Sequence, residues 1–385
     1  MTPDLPLAGL RVLDFAQFLA GPVAALRLAD LGAEVIKIER PQCGDLCRSM
    51  VVNDQRMGDD SLVFHTFNRG KKSVAADLKN PDDLARVKAL IGTADVMIHN
   101  FRPGVMERIG LGYDAVKALN PRLVYGAVSG YGADGPWKDK PGQDLLVQSL
   151  SGIAWLNGND GDGPVPTGFA MLDVATAGLL VQGILACLVR RGTTGKGGLV
   201  DVDLMSTAID MTFEQFTCFL NDPEGQPRRH AQGNANPYQP APYGIYETSD
   251  GHMALAMAPL ARVAELLDCP EIAEFGQDQA FAQLDAIKAV VARVLAGKPT
   301  RHWLDVLEPA GLWCAEVLDW PGFAATEGFA ALDPVQEIRA GTEAAKTTRC
   351  PIRIDGSALR NPTAGPTLGA DTEAVLGALD ATAGA

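Results

Sequence analysis

From Leu10 to Gly132 the chain alternates short apolar runs with helical stretches, and this alternation constrains the fold more than any other feature. "LRVLDF" has the length and apolar content of a buried strand. "LAGPVAALRLADLG" turns into a helix that stops at Gly32, and "AEVIKIE" is a second strand. "KSVAADL" leads into a helix in "PDDLARVKALIG", with Pro81 at its first position. "ADVMIHN" and "RLVYGAVSGYG" read as further buried strands. Such alternation predicts an α/β fold with a mostly parallel sheet covered on both faces. Ligands of such sheets bind beyond the carboxyl ends of the strands, where the loops gather.

Farther along, one apolar helix is expected from Asp173 to Arg190, with Val174, Ala177, Gly178, Val181, Leu185 and Leu188 at helical spacing. It ends at "RRGTTGKGG"; a strand ("LVDVDL") and another helix through residue 220 follow. Residues 221–244 are rich in Pro, Gly, Asn and Gln and read as loop or linker. "YGIYETSDGHMALAM" carries a hairpin signal at Asp250-Gly251. Helices continue to about residue 310, so residues 225–325 look like a smaller α+β domain. The tail, "LRNPTAGPTLGADTEAVL", reads as loop and then helix.

A net charge of −14 argues against nucleic acid as a partner, because phosphates need a basic face. No uninterrupted apolar run approaches the roughly 18 residues of a membrane span, and the start lacks a signal peptide's pattern, so a cytoplasmic protein is expected. Seven scattered cysteines do not resemble a disulfide framework. Neither they nor the five histidines have metal-ligand spacing, and no metal is expected.

Three places can carry chemistry. The first strand-turn-helix imitates a dinucleotide-binding unit, with Glu39 in the place of a ribose-binding acid eighteen residues beyond Gly21. Its turn has one glycine where that fingerprint needs three, so a nicotinamide enzyme is not expected. Asn100, Arg102 and Arg108 follow one strand end, and Arg40 and Lys79 follow two others. Cations so placed suit phosphate groups, or are simply solvated. Asp173 stands where the long helix begins. Either it caps that helix, or it is a nucleophile or base held at the helix terminus.

Taken together, "LAGLRVLDFAQFLAGP", "LGAEVIKIERPQCGD", "FNRGKKSVAADLKN", "DVMIHNFRPGVMERIGLGY", "PGQDLLVQSLSG", "MLDVATAG" and "TGKGGLVDVDLMSTA" resemble the class III (CaiB/BaiF-type) CoA-transferase family. "GNANPYQPAPYGIYETSDG" and "TLGADTEAVL" resemble it as well. The family includes formyl-CoA transferase, carnitine CoA-transferase and α-methylacyl-CoA racemase. The resemblance implies a Rossmann-like large domain built from residues 1–220 and 326–385, a small domain with its linkers at 221–325, and an interlocked homodimer. It places the family's catalytic aspartate on Asp173. CoA-binding positions fall on Phe18, Leu19 and Ala20, on Arg40 and Lys79, and on Asn100, Phe101 and Arg108. The family's glycine-rich loop falls near Gly233, where the chain reads "QGNANPYQ" with one glycine in place of a run.

Racemase members carry a histidine just before the aspartate of the "PGQD"-type segment; here that position is Gln143. An amide cannot act as a base at neutral pH, which leaves proton shuttling as the lesser alternative and a non-catalytic CoA-binding protein as another. The favoured expectation is transfer of CoA from an acyl-CoA donor to a small carboxylic acid. Asp173 would form an anhydride and then an enzyme thioester, with Gln143 and backbone amides near Gly233 stabilising the oxyanions. The CoA thioester is a substrate, and no permanently bound cofactor is expected. The side chain of Asp144 is expected to point away from Asp173, and the helix start is expected to hold Asp173 ionised.

Overall fold

The computed structural model describes residues 5–223, 225 and 227–383. The outermost residues of the expected domain spans, and positions 224 and 226 of the expected linker, lie outside them. Six parallel strands make the main sheet: β1 (Arg11–Asp14), β2 (Glu34–Glu39), β3 (Lys72–Ala75), β4 (Val96–His99), β5 (Val124–Ser129) and β6 (Gly198–Asp203). Their order is β3-β2-β1-β4-β5-β6. The order reverses direction between β1 and β4, and there the crevice beyond the strand ends opens for a ligand.

Local chemistry explains the crossovers. Helix α1 (Ala20–Asp30) is buried along almost its whole length, and Gly32 past its end has φ +108°. Helix α2 (Pro81–Gly92) starts on Asn80, whose side chain accepts from the Asp82 and Asp83 amides, with Pro81 at the first helical position. Leu13, Ile36, Val74, Leu90, Met97 and Tyr125 are core residues on one face of the sheet. Helix α3 (Met171–Thr194) packs against α1, β5 and β6. On length and composition alone it could cross a bilayer. Its buried stripe is Leu172, Thr176, Ala177, Leu180 and Ile184. This stripe shares only Ala177 with the expected face, and Val174 is 47% exposed.

The chain divides into two compact units: residues 1–147, 170–207 and 333–385, and residues 148–169 and 208–332. The chain leaves the first unit after residue 147, returns at 170 and leaves it again after 207, where one stretch of residues 1–220 was expected. Residues 148–169 join the second unit because Arg229 and Asn234 bind their backbone carbonyls. The C-terminal segment closes the β3 edge. Asp371 accepts from the Ser73 amide (2.8 Å), Thr372 from the Ala75 amide (2.9 Å), and Leu376 enters the core.

In the second unit, β7 (Gly244–Glu247), β8 (His252–Leu255) and β9 (Cys314–Glu316) form an antiparallel sheet in the order β9-β8-β7. Tyr246, Met253, Leu255, Ile287, Val291, Trp303 and Leu307 build its core.

Candidate active site

A cavity of about 430 Å³ opens at the carboxyl ends of β1, β2, β3 and β4. Arg40, Lys79 and Phe101 line it, with Gln42, Cys43, Asp45, Leu78, Val105 and Ile109, which sequence reasoning did not single out. Phe18, Leu19, Ala20, Asn100 and Arg108 do not line it. Asn100 acts on the turn after β1. Its Oδ1 accepts from the Gln17 amide (2.9 Å), and its Nδ2 donates to the Gln17 carbonyl (2.7 Å). Phe18, one residue on, has φ +64°, rare for a bulky side chain, and its ring is 45% exposed. Beside the cavity His99 stacks on Phe101, and burial pushes its imidazole down to about 4, so the ring is neutral.

The cavity floor is a buried charge network. Lys37 Nζ pairs with Asp45 (2.8 Å) and donates to the Ala16 carbonyl (2.6 Å). Asp45 Oδ1 accepts from the amides of Phe18 (3.1 Å) and Cys47 (2.9 Å), which joins the β1 turn to the loop after β2. Lys71 binds Asp14, Asn68 and the Pro22 carbonyl. Glu39 is committed here: its carboxylate takes two hydrogen bonds from Arg48 (2.8 Å each) and one from Ser73 (2.8 Å). Burial alone would raise its pKa, but the Arg48 contacts hold it below the usual glutamate range. Glu39 therefore has no free oxygen for a ribose, in keeping with the missing glycines.

A second arrangement lies at the head of α3. Gly130 follows β5 and touches Gly142 so closely that a Cβ on Gly130 would lie 2.4 Å from the Gly142 Cα. The contact returns the chain to the β5 end just before Gln143 and Asp144. Gln143 is exposed, and its backbone carbonyl accepts from the Leu146 and Val147 amides. Asp144 is buried, and its Oδ2 accepts from the amides of Leu172 (2.7 Å) and Asp173 (3.0 Å). This corrects two expectations. Asp144 does not point away from the site: it is the carboxylate that caps α3. Asp173 is not the cap but lies within the first helical turn, with Ala170 before the helix.

Asp173 is half-buried, and no cation or donor among the described residues reaches its carboxylate. Burial, and then the Asp144 charge, push its pKa up to about 7. The ionisation expected from the helix start is therefore opposed: near pH 7 the group is only about half charged, because burial and the Asp144 charge outweigh the helix end.

Gly233 lies in the second unit with φ +60°, and a Cβ there would sit 2.9 Å from the Ile245 carbonyl oxygen. Glycine is required at this approach.

A doubly wound sheet with a cavity at its switch point is thus followed by a capped helix that carries one carboxylate in its first turn. The chain belongs to CoA-transferase family III, whose profile matches residues 7–372. It is 35% identical over 329 residues to the acetyl-CoA:oxalate CoA-transferase of Acetobacter aceti, covering 82% of each chain. It is 33% identical over 316 residues to the succinyl-CoA:glutarate CoA-transferase of Mus musculus, covering 80% of this chain and 71% of that one. Among solved structures, an aspartate-to-alanine variant of Rv3272 from Mycobacterium tuberculosis matches with a TM-score of 0.84 at 29% identity, covering 96% of this chain and 98% of that one. The protein is a class III CoA-transferase.

Proposed function

We propose that this enzyme moves CoA from an acyl-CoA donor to a small carboxylic acid through a covalent intermediate on Asp173. The observation that carries this reading is a half-buried carboxylate at the head of α3 that no cation among the described residues pairs with. Asp173 attacks the donor thioester carbonyl, forming an aspartyl-acyl anhydride and releasing the CoA thiolate. The thiolate attacks the aspartyl carbonyl, giving an enzyme thioester and freeing the donor acid. The acceptor carboxylate then attacks the enzyme thioester, and the released thiolate takes the acyl group from the second anhydride, regenerating Asp173. Each step exchanges one acyl bond for another, so the thioester energy is not lost to water. Gln143 stabilises the tetrahedral oxyanions.

Arg40 and Lys79 hold the phosphates of CoA, and Phe101 packs near the adenine. The turn Phe18-Leu19-Ala20, braced by Asn100 and Asp45, faces the pantetheine arm, while Arg108 adds a more solvated cation. The relatives named for oxalate and glutarate support a small dicarboxylate as the acceptor. A cytoplasmic homodimer completes the reading. The dimer is supported by exposed large apolar side chains, among them Trp320 (84%), Val189 (76%), Phe213 (69%) and Trp313 (67%).

The test is a matrix of acyl-CoA donors, acetyl and succinyl among them, against oxalate, succinate, glutarate and mesaconate, read by mass spectrometry. Borohydride or hydroxylamine trapping during turnover should modify Asp173. Transfer without any trapped Asp173 would exclude the covalent route.

A further inference from the structure

Three successive amides follow β1, and each is answered by a side chain from a different segment of the first unit. The Ala16 amide donates to Asp14 Oδ1 (2.9 Å), the Gln17 amide to Asn100 Oδ1 (2.9 Å) and the Phe18 amide to Asp45 Oδ1 (3.1 Å). Two carbonyls are held as well. That of Ala16 accepts from Lys37 Nζ (2.6 Å), and that of Gln17 from Asn100 Nδ2 (2.7 Å). Many tight turns close with a hydrogen bond of their own backbone. This one is moulded instead by three buried side chains and one half-buried one. Phe18 needs that support, because φ +64° is a conformation that a bulky residue rarely adopts.

Lys37 and Asp45 form the centre of the arrangement. The Lys37 ammonium pairs with Asp45 Oδ2 at 2.8 Å and lies 3.7 Å from Asp14. Burial alone would lower its pKa, but the charges of Asp14, Asp45 and Glu39 hold it above the ordinary lysine range. A buried ammonium of this kind needs a carboxylate beside it. Asp45 is tied at its backbone too, where its amide donates to Glu39 Oε2 (3.0 Å). Its Oδ1 also accepts from the Cys47 amide (2.9 Å), and its Oδ2 is shut off from solvent. One residue thus links the β1 turn to the loop after β2, which begins with Arg40. Ala16, Gln17, Lys37 and Asp45 all line the cavity that Arg40 and Lys79 share.

We propose that Asp45, charged against Lys37, is a positioning residue for CoA binding: through the Phe18 amide it fixes the turn 16–18 as a pre-formed wall of the cavity. This rests on the reading that the cavity takes the phosphates of CoA. Both carboxylate oxygens of Asp45 are committed to the protein, so it acts on the ligand through the turn.

The experiment sets calorimetric binding of CoA beside hydrogen exchange of the full-length protein over residues 15–19. In the wild type this segment should exchange at least about a hundredfold more slowly than exposed coil, even without CoA. Exchange at coil rates would overturn the pre-formed turn, and that measurement needs no variant.

Asp45→Ala should accelerate exchange there about tenfold or more and raise the Kd for CoA about tenfold, with kcat for transfer within about threefold of wild type. Asp45→Asn keeps an acceptor for the Phe18 amide and should return the Kd to within about threefold of wild type. Asp30→Asn breaks another buried pair, Asp30 with Arg69 (2.8 Å), that does not line the cavity. It should lower stability and leave the CoA Kd unchanged. Unchanged CoA binding in Asp45→Ala would overturn the positioning role. So would a loss that Asp45→Asn does not recover, or one that Asp30→Asn reproduces.

Arg40→Ala separates this proposal from the reading beneath it. If Arg40→Ala weakens CoA binding and Asp45→Ala does not, the cavity reading stands and Asp45 positions nothing. If Asp45→Ala loosens the turn while neither variant weakens CoA binding, the cavity reading itself falls. Should Asp45→Ala fail to fold, the double substitution Lys37→Met with Asp45→Leu removes both charges together and leaves the Phe18 amide without its acceptor. It should raise the CoA Kd to the same extent, and an unchanged Kd there would overturn the proposal.

Discussion

Two groups of carboxylates in the first unit sit in opposite surroundings. Beneath the cavity, Asp14, Glu39 and Asp45 are buried, and each is answered by a cation: Lys71, Arg48 and Lys37 at 2.8 Å. At the head of α3, Asp144 is answered by backbone amides, and Asp173 by neither amide nor cation among the described residues. Burial opposes ionisation at Glu39 as it does at Asp173, yet Glu39 ends low and Asp173 at about 7. The difference lies in the partners. A paired carboxylate braces a fold, whereas an unpaired one, once ionised, keeps an oxygen free to bond to carbon.

The largest expected effect breaks the second arrangement. Asp173→Asn should lower transfer by about a thousandfold or more, roughly 4 kcal/mol of barrier, with the CoA-ester KM nearly unchanged. In the wild type, transfer should rise with pH through about 7 as Asp173 ionises. Stability moves the other way. The folded state holds this proton more tightly than the unfolded chain, so stability from this group is lost as pH climbs from about 4 to about 7. Asp173→Asn should accordingly be more stable than wild type at pH 8, by up to about 4 kcal/mol, and equally stable at pH 3. A pH-independent rate between 5 and 8 would show that Asp173 is ionised throughout.

Next come the cations of the first region. Arg40→Ala and Lys79→Ala should each raise the CoA-ester KM about tenfold and leave kcat within about twofold, because they remove binding shared by ground and transition states. A fall in kcat with unchanged KM in either variant would move that residue from nucleotide binding to the chemical step.

A smaller effect is expected at Asp144→Asn, which keeps an acceptor for the α3 amides and removes a charge. The midpoint of the pH–rate profile should shift downward but stay above the ordinary aspartate range, since burial contributes more than Asp144 does. An unmoved midpoint would mean that the two carboxylates do not sense each other. Asp144→Ala would also lose the cap, worth about 1 kcal/mol of stability.

What the sequence revealed follows the same division. β1, β2, β4 and β5 were legible because parallel strands buried on both faces read as short apolar runs between helices, and the edge strands β3 and β6 because they continue the same alternation. The pairing of Val335–Ala340 with Glu343–Thr348 was not, because only Gln336 and Ile338 of its first strand are buried and its residues are mostly polar. Asp173 was visible as the sole charge entering an apolar helix. The capping role of Asp144 was hidden, since it depends on the Gly130–Gly142 contact, which joins segments that no local pattern links. Gln42 and Cys43 escaped notice as cavity residues for a similar reason. Their loop is folded back by the Arg40 carbonyl accepting from the Gly44 amide (2.9 Å) and by Glu39 accepting from the Asp45 amide (3.0 Å).

The smallest expected effect tests where the first region ends. The family resemblance puts Arg108 among the CoA contacts, yet its side chain is exposed, and it does not line the cavity that Arg40 and Lys79 share. It ends the short helix Val105–Arg108, with its guanidinium against Gly104, where a Cβ would lie 3.2 Å away. A phosphate held there is solvated, and screening limits such a pair to a fraction of a kcal/mol. Arg108→Ala should therefore raise the CoA-ester KM by no more than about threefold at low salt, with the increase vanishing near 0.5 M salt as the Debye length shrinks to about 4 Å. The Arg40→Ala penalty should persist in that salt, because a cation lining a cavity is less screened. If Arg108→Ala matched Arg40→Ala in size and salt resistance, the phosphate site would extend over the Val105–Arg108 helix. The boundary between the cavity and the open surface would then have to be redrawn there.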